Sequence, residues 1–228
     1  RGQADGRFDT ASFNEPYGLV FLPEDLAATL GFELVVADTA NHLIRAISLA
    51  TSQVSTIAGT ANQWMQNDAT EGKALETNIS TPWDIALNGT ELLIAMAGEH
   101  RIWSLDLEAH QIKVLAGTTH EGLQDGDFEN AWFAQSSAIV VSALNPEITW
   151  VIDAETSALR KLADGKVTTA VGQGLFEFGH VDGLGSEALL QHPLGITELP
   201  SGNLVIADSY NQALRVYNPE TNKLSTLV

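Results

Sequence analysis

Three segments of the chain carry an aspartate at the end of an apolar run and an arginine seven residues later. The pairs are Asp38 and Arg45, Asp153 and Arg160, and Asp208 and Arg215. A row of carboxylates could bind a cation, but an Asp that begins a turn also accepts hydrogen bonds from nearby backbone N–H groups. A fourth segment of the same kind has Met96 and Trp103 at these positions, so the acid and the base are absent together. We therefore predict a structural Asp–Arg contact rather than a cation site.

The histidines follow no known metal-binding spacing. His42 and His100 stand at equivalent positions of two segments, but the other two segments have no histidine there. A zinc site needs three or four ligands from His, Cys and carboxylates, and the chain has no cysteine. Glu15 and His192 share another equivalent position and could serve a metal-assisted reaction. We predict no metal, no cofactor and no catalytic residue, with a metal-assisted hydrolase or lyase as the alternative.

A calcium loop is a further hypothesis for the acidic stretch "QDGDFE", where Asp125, Asp127 and Glu129 alternate. A full calcium loop needs more ligands and a bidentate Glu at its end, which this stretch lacks. The Asp–Gly pair also recurs at equivalent positions, at Asp5, Asp125 and Asp182. Glycine supplies the positive φ of many turns, so we interpret these pairs as turns.

The best candidate for a binding site is the segment that departs most from the others. Trp83 stands where two other segments have Tyr17 and Leu194, and Asp84 replaces the glycine that follows those residues. Met96 replaces the recurrent Asp, and His100 lies in the next turn. Function is often grafted where a repeat breaks its own pattern. We predict that Trp83, Asp84, Met96 and His100 form a ligand- or partner-binding site. The alternative is that larger side chains fill a larger gap in the packing.

Four similar repeats must position these residues. Ala37, Ala95, Ile152 and Ala207 fall in register, at spacings of 58, 57 and 55 residues. Each repeat has four runs of four to seven residues rich in Val, Ile, Leu and Thr, separated by turn residues, which is typical of β-strands. The repeats cover about residues 6–59, 70–117, 125–172 and 182–228 of a single segment, 1–228.

Four short strands repeated at this period predict an all-β β-propeller, with one blade of four antiparallel strands for each repeat. Helical turns are predicted only in "EGKALETN" and "DGLGSEALLQHP". A β-sandwich could use similar strands, but it would not need the same pattern of four strands repeated four times.

The phrase "ADTANHLIR", with Asn41, His42 and Leu43, resembles the NHL repeat, which builds six-bladed propellers in most members. The stretches "TPWDIAL" and "AMAGEHRIW" and most of residues 180–227 closely resemble the propeller of the NHL-repeat-containing protein two family. That resemblance implies a six-bladed propeller of which this chain is a part, with a thioredoxin-like domain elsewhere in the parent chain. A free-standing ring of four blades is the alternative. It also implies that the partner is a protein or the remaining domains of that chain.

The net charge of −18 argues against partners that carry phosphate groups. Nucleic acid and anionic lipid are bound by Lys and Arg, and the densest basic cluster is only Arg160, Lys161 and Lys166. We therefore expect no nucleic-acid and no membrane partner. The expected function is a non-catalytic scaffold or interaction module. We expect a homo-oligomer if the blades are completed by a second copy, and the cytoplasm is the default compartment.

Overall fold

The computed structural model describes residues 1–228, which is the whole chain. It contains four antiparallel β-sheets of five strands each, and each sheet is called a blade below. The chain forms two compact units, Arg1–Val114 and Leu115–Val228. Blades 1 and 2 lie in the first unit, apart from the last residues of blade 2, and blades 3 and 4 lie in the second. The predicted all-β chain of four antiparallel blades is confirmed.

The first unit holds blades 1 and 2, which share one strand order. The strands of blade 1 are β1 (Gly6–Arg7), β2 (Pro16–Phe21), β3 (Leu34–Asp38), β4 (Leu43–Ser48) and β5 (Gln53–Ala58). The strands of blade 2 are β6 (Glu71–Lys73), β7 (Pro82–Asn88), β8 (Glu91–Met96), β9 (Arg101–Asp106) and β10 (Gln111–Ala116). The spatial order in blade 1 is β1-β5-β4-β3-β2, and blade 2 repeats it. The last strand in this order, β2 or β7, is called the inner strand.

The second unit holds blades 3 and 4 with the same order, and their inner strands are β12 and β17. The strands of blade 3 are β11 (Gly126–Asp127), β12 (Ser136–Val141), β13 (Thr149–Asp153), β14 (Ala158–Ala163) and β15 (Lys166–Val171). The strands of blade 4 are β16 (Gly183–Leu184), β17 (Gly195–Glu198), β18 (Leu204–Asp208), β19 (Ala213–Asn218) and β20 (Lys223–Thr226).

Each blade carries a fifth strand beyond the four predicted. These outer strands, β1, β6, β11 and β16, are two or three residues long and pair with the last strand of the blade. In three blades the strand begins at the glycine of an Asp–Gly pair, which was predicted to form a turn. The interpretation as a turn was wrong, because the positive φ of Gly6 and Gly183 occurs inside a short extended segment that returns to the sheet edge.

One α-helix interrupts the β structure. Helix α1 (Glu24–Leu30) lies between β2 and β3, and the sequence analysis did not predict it. It has acidic residues in its first turn and ends at Gly31, which adopts the left-handed conformation common after helices. Short 3₁₀ turns occupy Thr39–Asn41, Ala74–Glu76, Ala97–Glu99 and Ser209–Asn211. No helix has the length and apolar character needed to cross a membrane.

The middle strands of each unit form its core. In the first unit Ile44, Ile94 and Trp103 are fully buried in one apolar cluster with helix residue Leu26. In the second unit Ile152 and Leu204 are fully buried, and the Trp150 and Tyr217 rings meet edge-on with centroids 5.8 Å apart. Because the third and fourth strands are buried on both faces in most blades, their apolar runs do not alternate with polar residues.

The inner strands of blades 1 and 2 approach closely at Gly18. Replacing Gly18 by Ala is expected to lower the free energy of unfolding by about 1–3 kcal/mol, the range for overpacking. A Cβ at this position would lie 2.6 Å from the Asp84 Cα and 2.9 Å from the Trp83 carbonyl oxygen, so β2 and β7 would have to separate. Chemical denaturation measures the loss. Gly195→Ala is the control, because a Cβ there meets only the Ala207 Cβ at 3.6 Å. Equal losses in both variants would contradict the prediction.

Candidate functional site

The recurrent aspartates and arginines are in contact in all three repeats that carry them. The Asp–Arg oxygen-to-nitrogen distance is 2.7 Å for Asp38 and Arg45, 3.6 Å for Asp153 and Arg160, and 2.7 Å for Asp208 and Arg215. All six side chains have no exposed surface. Burial raises the pKa of Asp153 to about 6, and Arg160 opposes part of that rise. A buried ion pair of this kind must satisfy its remaining polar atoms to be tolerated.

A second aspartate completes each of these ion pairs. Arg45 also binds Asp5 at 2.7 Å, Arg160 binds Asp125 at 3.2 Å, and Arg215 binds Asp182 at 2.7 Å. These second aspartates come from the Asp–Gly pairs before the outer strands, and their side chains are about half exposed. Each arginine thus joins the end of one strand to the outer edge of the same blade. Sequence analysis missed this second partner.

The buried aspartates also hold the segment that precedes the inner strand. The backbone N–H groups of Asn14, Ala134 and Gln191 donate to Asp38, Asp153 and Asp208 at 2.8, 2.8 and 2.7 Å. These contacts give the three aspartates a structural role in blades 1, 3 and 4. The Asp125 carboxylate accepts hydrogen bonds from Arg160 and from Thr169, so it is already occupied. The structure has no group of three or more His, Cys, Asp or Glu side chains arranged to hold a metal ion.

The turn after the third strand of a blade, β3 in blade 1 and β13 in blade 3, links adjacent blades within each unit. His42 adopts a left-handed conformation, and its Nδ1 accepts a hydrogen bond of 3.0 Å from the Thr81 backbone N–H of blade 2. Ser157 holds the same place in blade 3, and its Oγ accepts from the His192 N–H at 3.1 Å. Burial lowers the pKa of His42, in agreement with an unprotonated acceptor nitrogen. His42 therefore has a local structural role that the metal hypothesis did not consider.

Blade 2 replaces the Asp–Arg pair with a different buried ion pair. Glu99 binds Arg101 at 3.2 Å, and the Glu99 side chain is almost wholly buried. Burial raises the pKa of Glu99 to about 7, and the Arg101 charge opposes part of the rise. The Trp103 indole N–H is near enough to lower that pKa, but it makes no hydrogen bond of normal geometry. This pair was not predicted from the sequence. Its signal was the presence of Glu99 and Arg101 between Met96 and Trp103, which hold the positions of the recurrent Asp and Arg.

The four predicted binding residues do not form one surface. Met96 has no exposed surface and lies in the core of the first unit, so the prediction that Met96 contacts a partner was wrong. An apolar side chain in place of Asp packs inward with Trp103 instead of bonding the backbone. Trp83, Asp84 and His100 remain partly exposed. Trp83 lies in a β-bulge, between the residues that pair with Met96 and Ala95.

The structure places Tyr17 beside Trp83. The Tyr17 and Trp83 rings meet edge-on across β2 and β7, with centroids 5.9 Å apart. Tyr17 is 60% exposed, so much of its ring is open to solvent. Asp84 lies directly after Trp83, against Gly18 of blade 1. Tyr17, Trp83 and Asp84 are called the aromatic rim below.

Comparison with known proteins supports the sequence interpretation. No family model matches the chain. The chain is 37% identical to NHL repeat-containing protein 2 of Homo sapiens over 255 residues, covering 99% of this chain and 34% of that protein. It is 34% identical to the Arabidopsis thaliana protein SUPPRESSOR OF QUENCHING 1, chloroplastic, over 240 residues, covering 99% of this chain and 22% of the plant protein. The chain thus spans about a third of the length of the first of these relatives.

A solved structure described as a putative gluconolactonase superposes with a TM-score of 0.58 and 16% identity, covering 99% of this chain and 65% of that one. At this identity the similarity concerns the fold alone. The predicted NHL-type β-propeller, and its close resemblance to NHL repeat-containing protein 2, are confirmed.

Proposed function

We propose that this NHL-type propeller segment is a non-catalytic interaction module that binds a protein partner through the aromatic rim. The observation that carries the proposal is the exposed Tyr17–Trp83 pair, whose rings lie across two adjacent inner strands. Tyrosine and tryptophan supply large contact area with few rotatable bonds, and they dominate the binding energy of many interfaces.

The charge near the rim indicates which partner it would suit. Trp83 lies in a β-bulge, but the inner strands β2 and β12 have a register shift at the same place, so the bulge is a common feature of these blades. Asp84 and Glu15 lie close along the chain to the two rings, and the whole chain has a net charge of −18. Such a surface suits a partner segment with a basic or neutral tip, because a like charge would be repelled.

The parent chain supplies the second part of the proposal. This segment covers about a third of NHL repeat-containing protein 2, so most of that relative lies outside the matched region. The family resemblance suggests a thioredoxin-like domain in the same polypeptide, with the propeller presenting a protein to it. In this proposal, redox chemistry belongs to that domain and recognition belongs to the propeller.

The metal-assisted hydrolase or lyase remains the alternative function. The gluconolactonase-like neighbour shows that this architecture also occurs in a protein described as an enzyme, but a shared fold does not transfer an activity. Each of the two residues proposed for that chemistry has a local partner. Glu15 forms an exposed ion pair with Arg1 at 3.2 Å, and His192 packs on the Tyr210 ring with centroids 4.4 Å apart.

Replacing Trp83 by Ala is expected to weaken partner binding by about 10- to 100-fold, since truncating an interface anchor typically removes about 2 kcal/mol or more. Tyr17→Ala is expected to act in the same direction, because each ring supports the other. The immobilised chain is incubated with cell extract, and retained proteins are quantified by mass spectrometry. The protein that depends on Trp83 is then purified and titrated by calorimetry.

The matched control is Trp132→Ala in the second unit, where the Trp132 ring stacks on the exposed His120 with centroids 4.9 Å apart. It removes a tryptophan from an aromatic pair without touching the rim. If no retained protein distinguishes Trp83→Ala from the wild type, or if Trp132→Ala causes the same loss, the aromatic rim is not the binding site.

A further inference from the structure

Helix α1 is an insertion that none of the other blades carries. The inner strand connects to the next strand of its blade through Gly89 and Thr90 in blade 2, and through short helix-free segments in blades 3 and 4. In blade 1 the same connection holds α1, whose buried residues Leu26 and Ala27 pack on the core. The insertion leaves a groove beside the helix, at the end of β2, whereas Tyr17 lies near the start of that strand. It is called the α1 groove below.

The α1 groove has an apolar lining that the fold itself does not cover. Its volume is about 640 Å³, and its floor includes Leu22, Ala27 and Ala28. Phe21 and Leu49 form part of its walls, and they are 63% and 51% exposed. The volume lies within the range of about 300–1,000 Å³ that is common for ligand sites. Large apolar side chains left exposed around one groove indicate an interaction surface.

The charged groups around the α1 groove are all acidic. Glu24 and Glu33 line it, Asp25 lies beside Glu24 in the first turn of the helix, and no Lys or Arg lines it. The Glu33 Oε2 accepts a hydrogen bond of 2.7 Å from the Leu49 N–H, which fixes the carboxylate next to the apolar wall. By contrast, the groove beside the outer edge of blade 2 contains Lys73. The α1 groove therefore combines apolar surface with uncompensated negative charge.

From this combination we infer that the α1 groove is a docking site for a basic amphipathic segment of a partner protein. Apolar side chains of the segment enter between Phe21 and Leu49, and its Lys or Arg side chains face Glu24 and Glu33. An amphipathic helix that lays its apolar face into a groove is a recurrent mode of peptide recognition. An acidic or uncharged segment would leave the carboxylates without a partner. The site is separate from the aromatic rim and does not depend on the function proposed for it.

The test uses the full 228-residue chain and a synthetic helical peptide of about 14 residues, with Leu at helical spacing and Lys elsewhere. Calorimetry is expected to show saturable binding of this peptide, and no binding of the same peptide with Glu in place of Lys. Leu49→Ser is expected to weaken binding about tenfold. Leu75→Ser is the matched control, because Leu75 is similarly exposed, at 58%, but lies outside the groove.

A second pair of substitutions separates this site from general attraction to an acidic protein. Glu24→Gln with Glu33→Gln keeps the shape of the groove and the Leu49 hydrogen-bond acceptor. It is expected to weaken binding and to reduce its dependence on salt, since screened charge pairs cause that dependence. The Trp83→Ala variant is expected to bind the peptide as the wild type does.

Three results would overturn the inference: no saturable binding of the Lys peptide, equal binding of the Glu peptide, or equal effects of Leu49→Ser and Leu75→Ser. The last result would show attraction to the acidic surface as a whole. Backbone chemical-shift changes confined to α1, the adjoining end of β2 and residues 48–51 would support the site directly. Changes spread over the other blades would contradict it.

Discussion

Replacing Arg215 by Met is expected to lower the free energy of unfolding by about 3–5 kcal/mol, the range for breaking a buried ion pair. Arg215 binds Asp208 at 2.7 Å, and neither side chain has any exposed surface. Without the guanidinium, Asp208 keeps a buried charge or must take up a proton, and both cost free energy. Urea denaturation at neutral pH, followed by Trp fluorescence and circular dichroism, measures the loss.

The second ion pair of Arg215, with Asp182, provides the control for this prediction. Asp182 also lies 2.7 Å from Arg215, but its side chain is 50% exposed. An exposed ion pair contributes about 1 kcal/mol or less, because water and salt screen it. Asp182→Asn is therefore expected to have a small effect, although the distance is the same. If Asp182→Asn destabilised the chain as much as Arg215→Met, burial would not be the deciding factor.

Glu99 is expected to make the stability of the chain depend on pH in the neutral range. Its pKa is raised from an ordinary 4.5 to about 7 by burial. Between these values the folded chain holds a proton that the unfolded chain has released, so the free energy of unfolding falls as pH rises through this window. The pKa difference corresponds to about 3 kcal/mol at a pH above 7.

Glu99→Gln is the variant that tests this, because the amide resembles the protonated acid. At pH 5 it is expected to be more stable than the wild type by only about 1 kcal/mol, and at pH 8 by about 3 kcal/mol. Denaturation midpoints measured from pH 5 to pH 8 give the comparison. Glu76→Gln is the control, since the Glu76 side chain is 69% exposed. Parallel pH profiles for Glu99→Gln and the wild type would contradict the buried-proton interpretation.

Asp153 changes stability in the same direction, because burial raises its pKa to about 6. The wild-type profile therefore contains both groups. The difference between the wild type and Glu99→Gln contains Glu99 alone, because the two carboxyls belong to different blades.

The Asp–Arg pairs show which contacts can be predicted by comparing the repeats of the sequence. Their contact was predictable because both residues are missing from the one repeat that has Met96 and Trp103. The second partner of each arginine was not predictable, since Asp5 and Arg45 are 40 residues apart and the Asp–Gly pair resembles a turn. The return of a two-residue strand to the outer edge of the blade brings them together.

The candidate binding residues show that comparing the repeats does not predict which side chains are exposed. Trp83 stands out because it breaks the repeat pattern, but Tyr17 follows the pattern, so its exposure gave no sequence signal. Met96 was chosen because it broke the pattern, and the structure buries it completely. A departure from a repeat therefore marked a local change in packing as often as it marked a surface. Helix α1 was missed because seven residues are too few for a clear helical period.

The blade architecture was readable from the order of amino acids alone. Strand runs, turn residues and the period of the repeats are local properties, and they recur four times, so each copy checks the others. Which side chains are exposed, and which charges share a partner, depended on contacts between segments far apart in the chain. The pKa of the Glu99 carboxyl is raised because the residues around it exclude water. Exclusion of water arises only when the strands pack together, and so the exposed rings, the α1 groove and the raised pKa of Glu99 belong to the folded chain.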